Sequence, residues 1–177
     1  MKNIVYYVAT SIDGFISGPN EDISGFTAAG DGVNKYLEDL KDFDTIIMGR
    51  KTYEFGYKYG LVPGQPAYPH MQHYIFSFGL QFENQSEQVQ VCKLDDNIIK
   101  DLREKSKTDI YMCGGGKFAG WLLENEQIDI VKIKLNPLIL GDGIRLFGSS
   151  NKQYQLKLVE SESFDDGLSI NTYQIIY

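Results

Sequence analysis

The apolar positions of the chain follow two periodicities, and the change from one to the other marks its organisation. Ile4 to Ala9 is nearly continuously apolar, as in a strand covered on both faces. The stretch from Ser11 to Asn20 reads as a turn-rich loop. Between Asp31 and Phe43, Val33, Tyr36, Leu37 and Leu40 recur at i, i+3, i+4 and i+7, which predicts a helix with one buried stripe. Asp44 ends that segment. Thr45 to Met48 predicts a second buried strand, stopped by Gly49.

Tyr53 to Phe55 predicts a short helix, followed by a Gly- and Pro-rich loop through Pro69. Tyr74-Ile75-Phe76 and Val89 to Cys92 read as strands. Asp95 or Asp96 is placed to cap a helix carrying Ile98, Ile99 and Leu102. Ile110 to Cys113 is a further strand, and a helix is expected around Phe118 to Leu123. The last third changes character: Ile128 to Leu135, Tyr154 to Val159 and Ile170 to Ile176 alternate like antiparallel strands. The pattern predicts an α/β protein with a mostly parallel sheet and antiparallel strands at its C-terminal end. No repeat or linker-like stretch breaks residues 1–177, so one domain is expected.

Composition narrows the function. The hydrophobic fraction is 42%, with 12 Tyr and 10 Phe, which excludes a low-complexity chain. The net charge of −7 argues against a nucleic-acid partner, because no Lys/Arg cluster offsets phosphate repulsion. No apolar run approaches the roughly 20 residues of a membrane helix. The amino-terminal segment is a strand pattern with no small-residue cleavage site, so no signal peptide is expected. Cys92 and Cys113 form no disulfide framework, and a reducing cytoplasm is the simplest setting. His70 and His73 lack a cysteine or acidic partner and are expected at a loop and a strand edge. The Cys-x-x-Cys of a zinc deaminase and the G-x-S-x-G elbow of a serine hydrolase are both missing.

Two strand-to-helix junctions carry the chemistry. In Met48-Gly49-Arg50-Lys51-Thr52-Tyr53-Glu54 a glycine ends a buried strand, and two cations and a hydroxyl follow. Backbone amides at a helix start and a forked guanidinium both favour a phosphate. In Cys113-Gly114-Gly115-Gly116-Lys117-Phe118, three glycines permit close backbone approach to a ligand. Gly114, Gly116 and Ala119 also satisfy G-x-G-x-x-A, but the acidic residue that a Rossmann site needs about 20 positions on is replaced by Lys132 and Lys134.

The two junctions, in this order and about 64 residues apart, resemble the dihydrofolate reductase family. The chain is similar to that family's bacterial branch related to the RibD C-terminal reductase domain of riboflavin biosynthesis. The resemblance is carried by Ala9 to Ile16, Ile47 to Glu54, Tyr74 to Ser77, Gly114 to Gly116 and Pro137 to Phe147. It implies a three-layer α/β/α fold, NADP(H) as cofactor, and hydride transfer to a pterin-like or ribosylated aminopyrimidine ring. It also implies a homodimer, and leaves as the alternative a nucleotide-binding protein without turnover. By resemblance, Ala9 and Ile16 flank the nicotinamide. Gly49, Arg50, Lys51 and Thr52 hold the pyrophosphate and the 2′-phosphate, with Ser77 assisting. Cys113, Gly114, Gly115, Gly116, Lys117 and Phe118 line the diphosphate and ribose, with a cis peptide between Gly114 and Gly115. Asp31 is the candidate proton donor, its other reading being a helix N-cap.

Overall fold

The computed structural model describes residues Met1–Tyr177. Ten strands and four α-helices follow one another as β1 (Ile4–Thr10), β2 (Phe15–Ser17), α1 (Asp31–Asp39), β3 (Thr45–Gly49), α2 (Arg50–Phe55), β4 (Gln72–Phe76), β5 (Val89–Cys92), α3 (Asp96–Lys105), β6 (Ile110–Gly114), α4 (Gly116–Glu124), β7 (Ile130–Leu135), β8 (Ile144–Arg145), β9 (Gln155–Ser163) and β10 (Ser169–Ile176). Eight of them form one sheet in the order β5-β4-β3-β6-β1-β7-β10-β9. The six strands from β5 to β7 run parallel. β10 and β9 close the sheet antiparallel, so the expected mixed sheet is the one formed.

The near-continuous apolar run of β1 has its cause in the layers. Ile4 and Tyr6 pack with Leu102, Phe118 and Leu122 from α3 and α4, while Val5 and Tyr7 pack on the opposite face with Leu40 and Tyr53. A strand buried on both sides has no polar face to show. The expected three-layer α/β/α arrangement follows. No helix is long and apolar enough to cross a membrane.

Several local expectations change. Leu37, placed on the buried stripe of α1, is 52% exposed; the helix turns Gly32, Val33 and Tyr36 inward instead, and Leu40 is buried just past its end. Asp31 does not cap α1. Gly30 holds that position, and the Asp166 carboxylate accepts from Gly32 N at 3.3 Å, reaching in from the β9–β10 turn. Asp95 caps α3 as expected, its side chain accepting from Asn97 N at 2.8 Å. Residues 15–17, expected as loop, pair antiparallel with β8 in a separate two-stranded ribbon. Asp13 ties this region to the 137–143 loop by accepting from Leu140 N and Gly141 N at 3.1 and 2.7 Å. His73 is not at an edge: it lies on β4, between β3 and β5, with no exposure.

Candidate functional site

The carboxyl ends of parallel strands are where open α/β sheets bind ligands, and the cavity of this protein lies there. It has a volume of about 450 Å³ and lies over the strand ends. Its walls are the β3–α2 junction, the β6–α4 junction and the ribbon of β2 and β8. β3 and β6 are adjacent in the sheet, which is why two junctions distant in sequence meet across one space.

Gly49, Arg50, Lys51 and Thr52 line the cavity from one side, and Cys113, Gly114, Gly115, Gly116, Lys117 and Phe118 from the other, with Ile16 contributed by the ribbon. Ala9 and Ser77 stand outside this lining. Ala9 is half-buried beside Lys134 on β7, and Ser77 follows β4 with its amide on Cys92 O at 2.8 Å. Asp31 is also outside: it is exposed on the first turn of α1. A proton donor has to reach the reacting ring, and Asp31 is not among the residues that line this cavity.

The three consecutive glycines divide into two roles. Gly114 and Gly115 have φ of 147° and 96°, and a Cβ on Gly115 would come within 3.0 Å of Thr52 Oγ1. This pair keeps the two junctions close and leaves backbone facing the cavity. Gly116 serves packing instead, since a Cβ there would lie 2.3 Å from Arg145 O. The expected cis peptide between Gly114 and Gly115 is not formed; no peptide bond in the chain is cis. The two positive φ angles make the tight turn with trans geometry.

Electrostatics favour an anion. Arg50 and Lys51 are exposed on one wall and Lys117 on the other, and the first amides of α4 have no carbonyl partners within the helix. Arg50 Nε donates to Glu54 Oε1 at 2.7 Å, which leaves its terminal nitrogens for a ligand. Glu21 brings one carboxylate to the wall, paired with Lys58 at 3.5 Å. Burial pushes the Cys113 thiol up to about 12, so it lines the site as a small neutral group rather than a nucleophile. Phe118 stacks on Phe76 at 4.7 Å and floors the cavity.

Sequence reasoning missed Val8, Phe76, Leu94, Phe55 and Ile144 on the walls. A usable signal existed for the first three, because each lies at or just beyond the carboxyl end of a predicted parallel strand.

The RibD C-terminal domain model matches residues 2–170. The chain belongs to the RibD C-terminal domain family. Among curated relatives of this family member, the uncharacterised Bacillus subtilis protein YwjB is 27% identical over 174 residues, covering 96% of this chain and 97% of YwjB. A Shewanella sp. PV-4 protein provisionally named for riboflavin biosynthesis superposes with a TM-score of 0.81 at 24% identity, each chain covered completely. A Thermotoga maritima deaminase/5-amino-6-(5-phosphoribosylamino)uracil reductase matches with a TM-score of 0.71 at 16% identity, over 99% of this chain and 57% of that one. Dihydrofolate reductase from Enterococcus faecalis, complexed with NADP(H), reaches 0.64 at 16% identity, over 99% and 97% of the two chains. At these identities the structural matches establish the dihydrofolate-reductase-like fold that the motifs predicted.

Proposed function

We propose that this protein is an NADPH-dependent reductase that passes hydride to a small ribosylated aminopyrimidine-type heterocycle. The observation that carries the reading is the meeting of Gly49-Arg50-Lys51-Thr52 and Gly114-Gly115-Gly116-Lys117 across one cavity at the carboxyl edge. The residues fit a phosphorylated dinucleotide: Gly115 presents backbone where a Cβ would crowd Thr52, and the cations stand on both walls. The cofactor supplies the hydride. Gly115 and the first turn of α4 cradle its diphosphate, Arg50 and Lys51 reach the 2′-phosphate, and Phe76 and Phe118 exclude water from the floor. Membership of the RibD C-terminal domain family, together with the place of Asp31 outside the cavity lining, favours the aminopyrimidine class over a pterin.

The same reading includes a soluble cytoplasmic enzyme with no nucleic-acid or membrane partner, on one domain spanning 1–177. It also includes a homodimer. β9 is exposed along its whole length, with Leu156 50%, Leu158 54% and Val159 61% exposed, and a second copy would cover it. The test is NADPH oxidation followed by absorbance with 5-amino-6-(5-phosphoribosylamino)uracil and with dihydrofolate. Turnover of the first supports the proposal. NADPH binding with turnover of neither would leave a nucleotide-binding protein.

A further inference from the structure

β9 is the outer strand of the sheet, and neither its faces nor its free edge is covered. All nine residues from Gln155 to Ser163 are exposed, and none of them makes a backbone hydrogen bond outside the ladder to β10. The strand at the opposite edge, β5, has only four residues. A long open edge invites pairing with another strand, and a protein that stays single has to blunt it. β9 instead keeps three large apolar side chains in the open, Leu156, Leu158 and Val159.

A bulge sorts the side chains of this strand. The register with β10 shifts between Thr172 and Tyr173: Glu160 pairs with Thr172, Leu158 pairs with Tyr173, and Val159 is the extra residue between them. In a regular strand Lys157 would point away from Glu160 and Glu162, because side chains alternate between faces. With the extra residue, Lys157, Glu160 and Glu162 share the face of Gln174, Thr172 and Ile170. Leu156 and Leu158 share the other face with Ile175 and Tyr173. None of the three charges has an ion-pair partner. The other cations of their face are committed: Lys35 and Lys132 pair with Asp39, and Lys134 is buried against the ring of Tyr36.

We propose that two copies of the chain pair β9 to β9, antiparallel about a two-fold axis beside Leu158 and Val159, so that the sheet of one copy continues into that of its partner. The pairing rests on the homodimer reading and deepens it by naming the surface and its register. The order of charges selects a second copy of this chain. Lys157 lies on one side of the axis and Glu160 and Glu162 on the other. An antiparallel partner therefore sets Lys157 opposite the partner's Glu160, with the partner's Glu162 diagonal to it. The two-fold axis makes this contact twice. A parallel partner in register would align glutamate with glutamate. On the other face the Leu158 side chains of the two copies meet beside the axis, and Leu156 extends the apolar strip. The free N–H and C=O groups of both edges find partners in the same step. The assembly closes at two chains, because the pairing leaves no β9 edge open.

The experiment reads mass in solution by sedimentation equilibrium. It compares wild type, Lys157→Glu, the double variant Glu160→Lys with Glu162→Lys, and an equimolar mixture of the two variants. All three positions are exposed, so circular dichroism should show each variant folded as wild type. Wild type should be a dimer. Each variant alone places like charges opposite one another twice, and its dimerisation should weaken by about 100-fold or more. The mixture should recover a dimer with one chain of each kind, because every pair across the axis is again of opposite charge. A surface charge change that acted only on folding would not be rescued in this way. A wild type that stays single at every accessible concentration overturns the homodimer reading and this pairing with it. A dimer that neither charge reversal weakens, a mixture that stays single, or assembly beyond two chains overturns the β9 pairing alone.

Discussion

The two ends of the parallel strands hold similar residues in opposite arrangements. At the amino-terminal edge Arg103, Asp129 and Asp44 are tied down. Arg103 donates to Asp129 Oδ2 at 2.6 Å and to Lys2 O at 2.8 Å, and the same carboxylate oxygen accepts from Ile4 N at 2.7 Å. Asp44 accepts from the hydroxyls of Thr45 and Thr108 at 2.9 and 3.0 Å. At the carboxyl edge Arg50 has one half-buried carboxylate partner, Lys51 and Lys117 project into solvent, and glycine replaces side chains. The first edge joins β1, β3, β6 and β7 into one body. The second edge leaves donors and cations uncommitted, which is what a binding site needs and what stability alone would not select.

Substitutions should separate the two edges. The largest effect is expected at Gly115→Val, where a Cβ meets Thr52 and φ of 96° is strained for any side chain. NADPH affinity should drop by roughly 100-fold or more, read by isothermal titration on protein whose circular dichroism is unchanged. At the other edge, Arg103→Ala should reduce unfolding free energy by about 2–3 kcal/mol. That is less than for a fully buried pair, because Asp129 is 35% exposed. NADPH affinity of the folded variant should stay as in wild type; urea denaturation and titration report the two quantities.

The amino edge should also be the acid-sensitive one. His73 has no exposure, its Nε2 accepts from Ala67 N and Tyr68 N at 3.1 and 3.2 Å, and Nδ1 faces Met71 O at 3.0 Å. Burial pushes its pKa down from 6.5 to about 4. The unfolded chain therefore takes up the proton first, so this contribution is complete above pH 6.5 and is lost as pH falls towards 4. Between pH 7 and pH 4.5 the loss should be about 2 kcal/mol, and His73→Gln should flatten that part of the stability profile. The smallest effect is expected at Arg50→Ala. Arg50 is half exposed, so NADPH should weaken only about tenfold, NADH should weaken less, and stability should barely change. Equal losses for the two cofactors would assign Arg50 to the pyrophosphate or to the fold.

Legibility in the sequence followed the range of the interactions. β1, β3 and β6 were readable because burial on both faces writes an unbroken apolar run, and Asp95 was readable because its cap reaches two residues ahead. The junction residues from Gly49 to Thr52 and from Cys113 to Phe118 were readable as motifs, and the parallel sheet brought them together. What stayed hidden depends on partners distant in the chain. Asp166 caps α1 from the far hairpin. Gly116 is required by Arg145 O. The β2–β8 ribbon has three- and two-residue strands, too short for any periodicity. Lys132 and Lys134 were visible only as the lack of an acidic residue, since nothing local states that Asp39 engages one and leaves the other.

The central claim is that the carboxyl edge of the sheet holds NADPH, and thermal unfolding with added cofactor tests it most directly. A ligand that binds only the folded state raises the melting temperature, by about 2.7 kcal/mol of stabilisation at 100 times its Kd. NADPH should stabilise the wild-type protein in a concentration-dependent way, NADH should do so less at equal concentration, and Gly115→Val should respond to neither. No stabilisation of wild type by NADPH, or the same stabilisation in Gly115→Val, would contradict the account.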